Sequence, residues 1–231
     1  GGRPRTVRGH RNVLYPTPVD SAGLAWVEYN PDGRYVIVRR RPGWGVQRYE
    51  MERLTELHGL AWDNATGRLY FLVTDDSGMW IGTLDDFGRV RHVTEGAYVT
   101  LSDLRAADGR LYFGSIASGK DEAHCLDLGS GRQYRLTSSR YGSFSPSPDA
   151  QGDVLVTTYD RRGYRPAVQP FDTLHPVAYA RLPRNTVNPP RLRWPVVNLD
   201  TVSYTPADSA ASHARHRARR YPKALTLIKI H

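Results

Sequence analysis

The pentapeptide "GRLYF" stands at Gly67–Phe71 and again at Gly109–Phe113 of this 231-residue chain. Two more stretches align on its glycine: AGLAWVEY at Gly23 and QGDVLVTT at Gly152. The four glycines are separated by 44, 42 and 43 residues. A turn signal precedes each one: VDSA (19–22), DNAT (63–66), RAAD (105–108) and SPDAQ (147–151). Asp, Asn and Ser side chains in such segments bond their own backbone, and glycine supplies the positive φ that ends a turn.

Each copy then continues alike. An apolar run such as LYFLV is followed by a polar hairpin: NPDG (30–33), DDSG (75–78), ASGKDE (117–122) or DRRG (160–163). A second run follows (RYVIV, MWIGTL, AHCLDL, RPAVQPF), then a turn, clearest at DDFG (85–88) and LGSG (128–131). A third run closes in HVT (92–94) or RLT (135–137), and a fourth, YVTLSDL or YGSFSPS, leads into the next turn. Four short strands in a period of about 40–45 residues mark a β-propeller blade. No part of 12–180 sustains the i, i+3, i+4, i+7 spacing of a helical repeat, and the runs are rich in Val, Tyr, Trp and Phe. The expected fold class is therefore all-β, a propeller with about four visible four-stranded blades at 12–54, 55–96, 97–139 and 140–180. A basic arm (1–11) precedes them, and an irregular, Pro-rich and basic segment (181–231) follows. An open array of four blades would be part of a larger propeller and leave two apolar blade faces uncovered.

At the sequence level, "SPSPDAQGDVLVTTYDRRG" (145–163) and "LAWDNATGRLYFLVTDDSG" (60–78) resemble the TolB-like, WD-like propeller repeat, which runs SP-x-W-SPDG into an apolar strand and a polar hairpin. The RLT endings match the close of that repeat. Here the motif departs from the pattern, with WDNATG in the second copy and LRAADG in the third. The tail, LPRNTVNPPRLRWPVVNLDTVSYTP followed by YPKALTLIKIH, resembles the segment leaving the propeller in large Bacteroidetes envelope proteins, where an outer-membrane barrel comes next. That resemblance implies a periplasmic or outer-membrane-associated location and an excised middle piece of a longer protein.

Charge maps to the ends. The chain carries a formal +9, of which residues 181–231 hold +8 and residues 1–11 hold +4, while 12–180 is −3. The basic run HARHRARRYPK (213–223) reads first as a solvated linker, second as a membrane-proximal or partner contact, and last as a nucleic-acid site. NPPRLRWP (188–195) cannot continue a strand array and is expected to drape over the propeller with Trp194 as anchor. The single cysteine, Cys125, excludes an internal disulfide framework and reads as a buried, inert thiol.

Several strings imitate catalytic motifs. GSIASGKDEAH (114–124) fits a phosphate-binding loop up to Lys120, but Asp121 stands where Ser or Thr should hold magnesium, and a strand follows where a helix is needed. TDDSGMW (74–80) nearly matches the Asp-box of sialidase-like propellers, a structural hairpin. The pairs Asp75/Asp76 and Asp85/Asp86 fall in turns, where neighbours rarely face one another as a catalytic pair. There is no G-x-S-x-G elbow and no H-E-x-x-H. His213 and His216 lack a third ligand, and His58 and His124, in strands, are expected in the core or between blades. The expectation is a non-catalytic propeller scaffold for protein or ligand interaction, with no catalytic, cofactor-binding or metal residue and no cofactor. The alternative is an accessory propeller of a peptidase or glycosidase. Asp63, Asn64, Asp108 and Asp149 are expected to stabilise turns first and to line a binding face only second.

Overall fold

In the computed structural model, residues 9, 12–85, 87–149 and 152–171 are described, with the backbone of 176–177. They lie within one compact unit (1–186). The arm (all but Gly9) and the tail, with Trp194, His213 and His216, lie outside the described residues, as does Asp86. Every element is a strand. The first sheet is β1 (Val13–Val19), β2 (Gly23–Tyr29), β3 (Tyr35–Arg41) and β4 (Gly45–Glu50). The second is β5 (Glu56–Asp63), β6 (Arg68–Asp75), β7 (Gly78–Leu84) and β8 (Val90–His92). The third is β9 (Leu101–Ala107), β10 (Arg110–Ser115), β11 (Glu122–Asp127) and β12 (Gln133–Arg135). The fourth holds β13 (Ser143–Pro148), β14 (Val154–Asp160) and β15 (Gly163–Gln169). All pairings are antiparallel neighbours in sequence except one: β16 (Pro176–Val177) returns to β12, which gives the third sheet a fifth strand and leaves three described strands in the fourth.

The first strands of successive sheets lie side by side, β1 by β5, β5 by β9 and β9 by β13. They are therefore the inner strands of a propeller, and the sheets stack face to face outward from them. The repeated apolar strand fills both seams beside it. Leu69, Phe71 and Val73 of β6 pack with Ala25, Val27 and Ile37 of the first sheet. Tyr70 and Leu72, pointing the other way, pack with Leu101, Leu111 and Phe113 of the third. Tyr112 in turn meets Val154 and Val156 of the fourth. A strand buried on both faces is why LYFLV reads as a continuous apolar run instead of an alternating one.

Two repeat signals serve the backbone. Gly67, Gly109 and Gly152 all take positive φ (64°, 73° and 92°) at the turn into the second strand. Gly23 does not. It pairs with Val19 inside the sheet, because the first turn is one residue shorter than the Asp63-to-Arg68 turn, and Asp20 takes the left-handed conformation there (φ 55°). The fourth expected copy of the turn glycine is thus a strand residue. The threonines of HVT and RLT are hydrogen-bond acceptors: Thr94 Oγ1 takes the Ile81 N–H and Thr137 Oγ1 the Ala123 N–H, each at 2.9 Å.

The outward face of the fourth sheet, where the next sheet would stack, leaves Tyr164 69% and Val168 61% exposed. The opposite end of the array departs from the expectation of two uncovered faces. Trp26, Val36 and Val38 are buried, and Trp26 donates its Nε1–H to Glu28, which also accepts from Arg48.

Candidate interaction surface

The strand order defines two ends. At one, which we term the entry end, every inner strand begins. It carries the connections 51–55, 93–100 and 136–142 and the hairpins 30–34, 75–78, 116–121 and 160–163. The exit end carries the turns into the second strands and the outer turns. The sequence places turn-forming acids at both ends, and the structure shows what most of them do.

At the exit end the carboxylates are committed to the backbone. Asp63, fully buried, accepts from Thr66 N (2.8 Å) and, across the seam, from Gly109 N (3.2 Å). Asn64 Oδ1 accepts from the Trp62 indole at 2.9 Å, and Asp149 accepts from Asp153 N at 2.9 Å. Asp108 acts through its backbone, which takes φ 52° ahead of Gly109. Asp85 accepts from the amides of Phe87 and Arg89 and from Arg91 Nε. The Arg89 amide foremost holds its carboxyl below the ordinary range, against a smaller opposing effect of burial.

The Asp-box hairpin at the entry end is structural as well. Asp75 accepts from Ser77 N (2.8 Å), Ser77 Oγ (2.6 Å) and Trp80 Nε1 (2.8 Å). Burial pushes its carboxyl up, and the bonds from Ser77 and Trp80 more than reverse this, so it sits below the usual value. Asp76 is exposed and lends only its carbonyl, which accepts from the Tyr98 hydroxyl. In GSIASGKDEAH, β11 follows the loop as a strand. Lys120 does not face an open phosphate cradle. It donates to the Ser139 carbonyl and pairs with the buried Glu122 at 3.1 Å.

Each inner strand carries a register irregularity near its start. At or beside these sit Tyr15, His58, Asp103 and Ser145. Three of them, Tyr15, Asp103 and Ser145, take positive φ (52°, 53° and 52°), a conformation uncommon for non-glycine residues. His58, expected in the core or between blades, is exposed here, because the irregularity turns it away from the seam while Leu57 takes the buried place. Its Nε2 lies 3.7 Å from Glu56. Ser145 Oγ donates to Asp103 at 3.0 Å. A serine, a histidine and an aspartate thus share one repeat position on three neighbouring strands, but the serine bonds the carboxylate and the histidine faces Glu56. In a serine-hydrolase triad the histidine stands between the other two.

Around this polar ring the connections each raise one large side chain into solvent just before the next inner strand: Leu54 is 92% exposed, Tyr98 63% and Tyr141 50%. Leu54 also has positive φ (63°). Sequence reasoning passed over all three. Their signal is position, one large side chain two or three places before the inner strands β5, β9 and β13. Among the described residues no group of three His, Cys, Asp or Glu side chains is placed to hold a metal ion. Cys125 is buried, and burial pushes its thiol up to about 12.

No protein-family model matches the sequence, and no curated protein matches it. Solved structures do match its fold. TolB from Acinetobacter baumannii superposes with a TM-score of 0.55 at 19% identity, over 70% of this chain and 41% of that one. A putative TolB from Agrobacterium tumefaciens gives 0.52 at 20% identity, over 69% and 61%. This chain has the TolB-like propeller fold. The same fold is shared with enzymes: a puromycin hydrolase S511A mutant matches with a TM-score of 0.55 at 13% identity over 74% of this chain and 29% of the other. The chain therefore spans less than two thirds of the TolB chains it matches, and the likeness concerns architecture alone.

Proposed function

We propose that the chain is a non-catalytic propeller scaffold that binds a protein partner of the cell envelope through its entry end. The observation that carries this reading is the trio Leu54, Tyr98 and Tyr141, held in solvent at equivalent places around the polar ring of Tyr15, His58, Asp103 and Ser145. Exposed tyrosines are among the side chains enriched at protein interfaces, where a few large anchors carry most of the binding energy. Support for an envelope location is the fold shared with TolB proteins and the resemblance of the tail to Bacteroidetes envelope proteins. The hydrogen bond from Ser145 to Asp103, instead of to His58, supports a binding role for the ring over hydrolysis.

The test compares three proteins in envelope extract: the wild-type chain, a Leu54→Asp/Tyr98→Asp/Tyr141→Asp variant, and a Trp44→Asp/Phe87→Asp variant altered at the exit end. The expected result is a partner captured by the wild type and the exit-end variant and lost by the entry-end variant. Equal capture by all three, or hydrolysis of peptide or glycoside substrates by the purified chain, overturns the reading.

A further inference from the structure

The seams between the first and second sheets and between the second and third sheets can be superposed residue by residue. Thr94 and Thr137 fix the register, so Ile81 corresponds to Ala123. Trp80 then corresponds to Glu122 and His92 to Arg135, in agreement with the pairs Gly82↔His92 and His124↔Arg135. In the second seam, two cations of the chain itself meet a buried carboxylate: Lys120 Nζ lies 3.1 Å and Arg135 Nε 3.4 Å from Glu122. In the first seam the same place is an open cleft of about 400 Å³. Trp80 and His92 form one wall, stacked at 3.7 Å with an interplanar angle of 15°. Met51 and Val90 add apolar lining, and Glu50 and Glu52 supply carboxylates from the chain leaving the first sheet. Asp75 also borders the cleft, but its oxygens are occupied by Ser77 and Trp80. Glu50 is shared with Arg34 at 3.3 Å, and no cation among the described residues pairs with Glu52. Arg89 borders the cleft too, and its guanidinium lies over Phe87.

We propose that this cleft binds a guanidinium, the side chain of an arginine presented by the protein partner. The chemistry follows from the lining. A guanidinium can lie flat on the open face of the exposed His92 ring, Trp80 being 3% exposed beneath it, and can bond a carboxylate with two parallel N–H donors; an ammonium, a point charge, matches neither the planar stack nor the two-pronged bond. The chain already uses this contact internally, with Arg39 and Arg41 over Trp62 at 4.9 and 5.2 Å. Met51, Glu52 and Thr55 of the entry-end connection 51–55 border the cleft, so the proposal extends the reading of the entry end as a partner-binding face and rests on it for the source of the arginine.

L-argininamide is the probe, titrated into the full chain while the His92 ring signals, assigned with a His92→Gln variant, are followed by NMR. A saturable shift of the His92 signals is expected. Glu50→Gln/Glu52→Gln should weaken binding about tenfold, the size expected for losing two exposed ion pairs. L-citrullinamide, which has the same shape without the charge, should be weakened at least as much on the wild-type chain, an arm that needs no folded variant. Tyr164→Ser/Val168→Ser, on the outward face of the fourth sheet and away from both the cleft and the rim, should bind argininamide unchanged. Equal binding of the two amides, indifference to the glutamine variant, or no saturable shift overturns the proposal and leaves the rim experiment standing on its own result.

Discussion

The first and second seams of this propeller use the same backbone and opposite chemistry. Between the first and second sheets the contact is apolar: Phe71 is fully buried against Val27 and Ile37, with Trp80 beside it. Between the second and third sheets Phe113 fills the position equivalent to Phe71, but its neighbour across β11 is His124, stacked at 5.9 Å, and Glu122 and Gln133 are buried around it. His124 Nδ1 meets Gln133 Nε2 at 3.0 Å. One seam is held by excluded water and the other depends in part on which polar groups stay neutral or paired. The lesson is that the repeat specifies a packing distance, not a packing chemistry.

That contrast can be broken from either side. Phe71→Ala should cost about 3–5 kcal/mol, the range for emptying an aromatic site in a packed core, read from urea unfolding at neutral pH. The effect should change little between pH 7 and pH 4, because the buried residues packed with Phe71 carry no charge.

The second seam should show the opposite signature. Burial foremost, with Arg135 adding to it, lowers His124 to about 4, from an ordinary value near 6.5. A histidine whose folded pKa is depressed binds its proton more readily in the unfolded chain. Stability is therefore complete above about pH 6.5 and falls as pH drops from there toward 4. The total loss is on the order of 3 kcal/mol. Unfolding midpoints between pH 7 and pH 4 should trace this fall in the wild type and flatten in His124→Gln. An unchanged profile in the variant would remove the polar seam as its cause.

Asp63 ties the second and third sheets at the exit end, and Asp63→Ala should cost about 2 kcal/mol by stranding the Thr66 and Gly109 amides. Hydrogen exchange at Gly109 should accelerate with it, since of Asp63's two bonds this is the one that crosses the seam. The smallest effect is expected at the shared registration point. Thr94→Val and Thr137→Val each lose one acceptor for a buried amide and should cost about 1 kcal/mol, equally in both seams. Unequal costs would show that the seams differ in backbone as well as side chains.

Much of this was legible in the sequence. "GRLYF" marked the strand buried on both faces, the Asx-rich turns announced Gly67, Gly109 and Gly152, and TDDSGMW gave the Asp75 hairpin. Other features were not legible. Gly23 aligned by identity and not by turn length, which only pairing reveals. His58 looked like a core residue because strand periodicity assumes regular register, and one irregularity reverses which face a side chain takes. Leu54, Tyr98 and Tyr141 lie in connections that share no motif, so nothing in the chain announced them as a set.

The sequence by itself determined the sheets and their order, apart from the return of β16 to the third sheet, because turn chemistry and apolar runs act over a few residues and recur every 42 to 44. The tertiary structure alone decided which strand is innermost and that Leu54, Tyr98 and Tyr141 share the end at which the inner strands begin. It alone decided that Asp63 reaches Gly109, and that one seam opens a cleft where the other closes on Glu122. The Asp63 contact joins residues 46 positions apart and the cleft sets 50–55 against 75–92, and no local preference encodes which of two equivalent positions meets a neighbour and which meets water.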